Sequence, residues 1–214
     1  MLFIFDWDGT LIDSTGHIIR AMQFAAKELQ LPVLSEAAVQ NIIGLGLPEA
    51  ILALYPELDD TARHELKLGY AKHYIALNEE PPELFEGVAD TLNHLKAAGH
   101  SLAVATGKNR RGLQRVLSQL DMLNYFHATR CADETQSKPH PQMLHELLSE
   151  LKTPVERAVM IGDTEYDMAM AQQAGMPRIG VDYGAHEAER LLRYTPDMIL
   201  SDFPQLLGWH GLAR

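Results

Sequence analysis

Two carboxylates, Asp6 and Asp8, stand one residue apart at the end of the apolar run in "MLFIFDWDGTLIDS". Side chains at i and i+2 of an extended segment project to one side, so both acids aim at one small volume and need a counter-charge there. Three later stretches offer complementary chemistry. "SLAVATGKN" places Thr106 and Gly107 where an apolar run stops, a hydroxyl beside free amides at a helix start, which suits an anion. Taken alone, Thr106 reads first as an ordinary helix N-cap. "ETQSKPHPQMLHELL" fixes Lys138 between defined proline turns, and a held ammonium neutralises a phosphate or a carboxylate. "MIGDTEYDMAMAQQAG" ends another apolar run in Asp163, with Asp167 one helical turn later. Asp163 by itself reads as a helix cap. With Asp6 and Asp8 it forms the oxygen-rich donor set that Mg²⁺ prefers.

These groups must be carried by elements that converge. Short apolar runs recur, each followed by a polar turn and a helical pattern, at "LFIFDWDGT", "SLAVATGKN", "AVMIGDTEYD" and "RIGVDYG", with further strands expected at "FHATRC" and "DMILSD". Alternation of this kind predicts an α/β fold: a Rossmann-like parallel sheet with helices on both faces. Ligands of such sheets bind beyond the carboxyl ends of the strands, which is where Asp6, Thr106 and Asp163 fall. Trp7 points away from the two acids and is expected to pack. Asp13 and Ser14 read as helix-capping residues.

Between the first strand and the next, residues 15–82 are too long for one crossover and read as a helical insert, leaving residues 1–14 and 83–214 as the α/β core. Ser35 is the expected N-cap of one insert helix, and "NEEPPELFEG" is the expected return linker. "IIGLGLPEA" reads either as a helix-helix turn with proline at the first helical position or as a loop facing a ligand. Arg20, Lys67, Lys72 and His73 are the cations of the insert that could meet a second anionic group.

The chain has 214 residues and a net charge of -11, which disfavours nucleic acid or an anionic membrane as a partner. A small molecule is the expected partner, and the oligomeric state, monomer or homodimer, stays open. One cysteine, Cys131, excludes an internal disulfide and a cysteine-based zinc site. No signal peptide and no membrane span are read, so a soluble, cytoplasmic protein is expected. The phosphate loop of P-loop NTPases is absent.

The order of the groups resembles one family. Carboxylates, a hydroxyl, a lysine and further carboxylates make a metal-assisted phosphoryl-transfer site. "DWDGT", the Thr of "VATGK", the Lys of "SKPHP" and "GDTEYD" resemble the four motifs of the haloacid dehalogenase (HAD) superfamily across nearly the whole chain, and the helical insert resembles its cap, as in phosphoglycolate phosphatase-like members. The resemblance implies that Asp6 is a nucleophile forming an aspartyl-phosphate and that Asp8 is the general acid and base. It implies that Thr106 and Gly107 hold phosphate oxygens and that Lys138 offsets charge. Mg²⁺ would be held by Asp6, Asp8 through its main chain, and Asp163, with Asp167 acting directly or through water. The activity implied is a phosphatase for a small phosphorylated metabolite such as phosphoglycolate. The alternatives are a phosphosugar mutase on the same scaffold and, from another class, an Asp-phosphorylated signalling switch.

Overall fold

Leu2–Phe5 (β1), Ser101–Thr106 (β2), Ala128–Cys131 (β3), Ala158–Gly162 (β4), Arg178–Val181 (β5) and Met198–Leu200 (β6) form one sheet in the computed structural model, which describes residues 1–77 and 82–213. The order is β3-β2-β1-β4-β5-β6 and every pairing is parallel. All six expected strands are present. β1 lies between β2 and β4, in register Leu2↔Ser101 and Leu2↔Ala158. The chain order reverses at this central strand, and a crevice opens at such a switch point beyond the strand ends.

Alternation along β1 sorts the core into two layers. Phe3 and Phe5 face one cluster with Val104, Ile161, Leu113 and Phe203, whereas Leu2 and Ile4 face another with Ala103, Met160, Leu144 and Met170. Helices Val88–Ala97 (α5) and Arg110–Gln119 (α6) cover the first face; Gln142–Glu150 (α7) and Glu165–Gln173 (α8) cover the second. Ala188–Leu192 (α9) packs beside β5. Trp7 is fully buried in the first cluster, edge-on to Phe126, as its position predicts.

The stretch between β1 and α5 is helical: Thr15–Glu28 (α1), Glu36–Gln40 (α2), Leu47–Leu54 (α3) and Asp60–Leu77 (α4). These helices bury a cluster of their own around Met22, Ala25, Ile43, Ile51 and Leu66. Small residues let α1 and α4 close up, since a Cβ on Gly69 would sit 3.3 Å from Ala25 Cβ. Ser35 caps α2 by accepting a hydrogen bond from the Ala38 amide. Of the return linker, residues 78–81 lie outside the described residues. Among the described residues no helix is long and apolar enough to cross a membrane.

Candidate active site

β1 ends at Phe5, and the Asp6 amide still donates to the Ile161 carbonyl, which holds the next side chain at the sheet edge. Asp6 is 1% exposed, and among the described residues its Oδ2 has no hydrogen-bond partner and its Oδ1 has the Lys138 ammonium alone. The Lys138 ammonium, fully buried, stands 2.8 Å from Asp6 Oδ1 as an ion pair and donates to Asp167 Oδ1 at 2.6 Å. Asp163 completes the group: oxygens of Asp6, Asp163 and Asp167 all lie within 4.8 Å of one another. The sequence therefore brings four separated side chains to one point.

Three buried carboxylates against one ammonium leave an excess of negative charge. Burial, and then the charges of Asp167 and Asp163, push the Asp6 carboxyl well above its usual range, with Lys138 opposing. Burial and the charge of Asp167 raise Asp163 to about 7, although the Ala185 amide and Thr10 hydroxyl hold it down. Burial pulls the Lys138 ammonium downward, but Asp167 and Asp6 outweigh it and the net shift is upward. A divalent cation would relieve this imbalance, and the unpartnered Oδ2 of Asp6 is suited to it.

Asp163 is oriented by Thr10 Oγ1, which donates to Oδ1 at 2.9 Å, and by the Ala185 amide, which donates to Oδ2 at 2.8 Å. The turn after Asp8 brings Gly9 against it: at φ 78°, a Cβ there would lie 2.2 Å from Asp163 Oδ2. Asp163 is not the cap of α8. That role belongs to Thr164, which makes a reciprocal capping box with Asp167. Asp167 Oδ2 accepts from the Thr164 amide and hydroxyl, so both Asp167 oxygens are engaged.

Asp8 is close by but differently held. Its carboxylate pairs with Lys108 Nζ at 2.8 Å and accepts the Ser14 hydroxyl at 2.5 Å, and it stands apart from the three clustered acids. Ser14 makes no side-chain cap on α1, which corrects the capping role expected for it. The Lys108 ammonium also donates to the Tyr74 hydroxyl of α4 at 2.9 Å. Burial would lower Lys108, but Asp8 more than reverses this. Thr106 is fully buried at the end of β2 and its Oγ1 accepts from the Lys108 amide. It is not a helix cap either, since Asn109 caps α6 by accepting from Gly112. Gly107 permits a close approach, because a Cβ there would meet the carbonyl oxygens of Leu45 and Gly44 at 2.6 and 2.7 Å.

That approach brings the helical insert over the acids. The loop between α2 and α3 is both a turn, with Pro48 in the first turn of α3, and a wall of the site. A cavity of about 520 Å³ lies between α1, α4, this loop and α6, with Asp6 and Asp8 among its lining residues. The insert is joined to the core on two sides. The Gly46 amide donates to Ser137 Oγ at 2.7 Å, and the Asn41 carbonyl accepts the Tyr166 hydroxyl at 2.9 Å. Arg190 bridges Asn41 and Glu165. Of the insert cations, Lys72 and His73 pair with Glu28 at 2.6 and 2.7 Å, Lys67 lines the cavity, and Arg20 does not.

Sequence reasoning missed Lys108, Ser14, Thr10 and Tyr74. Each finds its partner through the fold, and only the "TEYD" capping box carried a local signal that could have reassigned Asp163 and Asp167.

Comparison with known proteins fits this geometry. Residues 3–181 match the family model described as haloacid dehalogenase-like hydrolase. "Probable phosphatase IndB" of Dickeya dadantii (strain 3937) is 35% identical over 218 residues, covering 100% of this chain and 95% of that protein. "Phosphoglycolate phosphatase" of Salmonella typhi is 34% identical over 232 residues, covering 98% and 92%. The crystal structure of a "predicted phosphoglycolate phosphatase" from Haemophilus somnus 129pt superposes with a TM-score of 0.87 at 27% identity, covering 97% of this chain and 96% of that one.

Proposed function

The chain belongs to the haloacid dehalogenase-like hydrolases and is a phosphatase of that family, and on that premise we propose an Mg²⁺-dependent phosphomonoesterase for a small phosphorylated metabolite that works through phosphorylated Asp6. The observation that carries the reading is the buried Asp6 carboxylate, with one oxygen on the Lys138 ammonium, the other without a partner among the described residues, and two further acids beside it.

Asp6 and Asp163, with the Asp8 main chain, would hold the cation, and Asp167 acts on it through Lys138 and water. When bound, Mg²⁺ supplies positive charge that lets an anionic ester approach three acids. The Thr106 hydroxyl and Gly107 amide hold phosphate oxygens. A carboxylate oxygen of Asp6 bonds to phosphorus as the ester P–O bond breaks, and Asp8 gives its proton to the departing alkoxide. Asp8 then takes a proton from water, whose oxygen bonds to phosphorus and releases the Asp6 carboxylate with inorganic phosphate. Lys138 offsets charge on Asp6 and on the phosphoryl group throughout. Residues 15–82 act as a cap that excludes bulk water. The reducing cytoplasm is the compartment that fits the single buried Cys131.

Chelation is the direct test. Protein treated with EDTA is expected to lose turnover of 4-nitrophenyl phosphate and to regain it with Mg²⁺. At a Mg²⁺ concentration about a hundred times its Kd, stability rises by about 2.7 kcal/mol and the melting temperature by about 5–10 °C. Undiminished turnover in excess EDTA would sink the proposal. A sugar phosphate returned as an isomer, in place of free phosphate, would mark a mutase.

Ser14→Ala leaves Asp8 to Lys108 alone. Its kcat is expected to fall about tenfold with KM little changed, and Ser14→Thr to restore most of it. A kcat equal to that of the parent would mean that the Ser14 hydrogen bond does nothing for Asp8.

A further inference from the structure

Resting on the phosphatase reading above, we propose that the ester hydrolysed here carries a largely apolar alcohol, larger than the two-carbon acid released from phosphoglycolate. The cavity over Asp6 and Asp8 holds about 520 Å³, inside the range of roughly 300–1,000 Å³ that suits a drug-sized ligand. Its walls away from the acids are built of Ile18, Met22, Ile42, Ile43 and Leu45, with the stacked rings of Tyr70 and Tyr74 closing one side. Ile18, Ile42, Ile43 and Met22 line it while being 8%, 6%, 3% and 1% exposed. A two-carbon acid would fill little of this volume.

Charge placement points the same way. A phosphate ester with a carboxylate on its alcohol needs a second cation facing Asp6. Among the described residues Lys67 is the only Lys or Arg that the insert contributes to the lining, and it is exposed. Lys108 is held by Asp8 and Tyr74, whereas Arg115 of α6 keeps its charge while donating to the Ile75 carbonyl and stands with Lys67 and Arg111 in the lining. Lys67 and the exposed Arg111 at the rim draw the phosphate dianion into a chain of net charge -11. The interior then reads the alcohol by its apolar area. Each methylene placed against such a wall is worth about fourfold in kcat/KM.

Straight-chain alkyl monophosphates from methyl to hexyl test this, because their alcohols leave with nearly equal ease. With the Mg²⁺-loaded enzyme, kcat/KM is expected to climb along the series by on the order of 10²-fold or more, with 2-phosphoglycolate near its lower end. Met22→Gln, close to Met in shape, is expected to lower the slope while the melting curve stays cooperative. A flat or falling series, a kcat/KM for 2-phosphoglycolate above that of hexyl phosphate, or an unaltered slope in folded Met22→Gln would each overturn the proposal. Failure to hydrolyse any ester, 4-nitrophenyl phosphate included, would overturn the phosphatase reading instead.

Discussion

Asp6→Asn is expected to lower kcat by at least about 10⁴-fold while the protein becomes more stable in metal-free buffer. The amide keeps the shape of the carboxylate but lacks the anionic oxygen that bonds to phosphorus to give the acyl phosphate, so the covalent route closes and only binding and positioning remain. Stability moves in the opposite direction because Asp6 is buried among like charges with one oxygen unpartnered and a single ammonium shared with Asp167. Removing its charge leaves Asp163 and Asp167 against Lys138, and the amide can donate to one of them. A gain of about 1–2 kcal/mol, a few degrees in melting temperature, is the expected size. Added Mg²⁺ should stabilise the parent more than the variant, so the two melting temperatures converge or cross. Steady-state kinetics with an aryl phosphate and thermal melts with and without Mg²⁺ check both halves. A variant turning over within tenfold of the parent would remove Asp6 from the nucleophile's role.

Lys138→Met is expected to be the most damaging single change to stability. The ammonium is fully buried between Asp6 Oδ1 and Asp167 Oδ1. Deleting one member of a buried ion pair costs about 3–5 kcal/mol, because the remaining charge has neither water nor partner. That corresponds to a melting temperature lower by about 10 °C or more for a chain of this size. The deficit should depend on pH. Asp163 is already raised from 3.8 to about 7 by burial and by Asp167, so between those values the folded chain keeps a proton that the unfolded chain has lost. Stability therefore falls as pH rises across that window, and in the variant the fall is steeper and extends higher. Denaturant melts of both proteins at pH 5 and pH 8 in EDTA measure it. An equal deficit at both pH values would mean that Lys138 contributes mainly by packing.

Much of the fold was legible because its signals are local. Each strand is a short apolar run closed by a polar turn, and the hydroxyl ends β2 while the acids Asp6 and Asp163 follow directly on β1 and β4. Ser35 could be read as a cap because cap and helix are adjacent. The partners of those residues were not legible. Thr10 meets Asp163 across 153 positions, and Lys108 reaches Asp8 only once β1 and β2 lie side by side. Ser14 looks like a cap in any one-dimensional reading, and only the tight turn at Gly9 reveals that its hydroxyl faces Asp8. The cavity is harder still, since no single helix of the insert encodes it. It is the space left where the faces of α1, α4 and the α2–α3 loop fail to meet α6.

The central place of β1 also sets the order in which the enzyme can come into being. This strand precedes both of its neighbours in the chain, which begin at Ser101 and Ala158. At about 5–20 residues per second, Leu2–Phe5 waits on the order of ten seconds for its second partner. Until then one edge of this buried apolar strand stays unpaired, and a nascent chain that stops short of β4 exposes that edge and lacks Asp163. Asp6 is made more than a hundred residues before Lys138, Asp163 and Asp167, the groups that surround it.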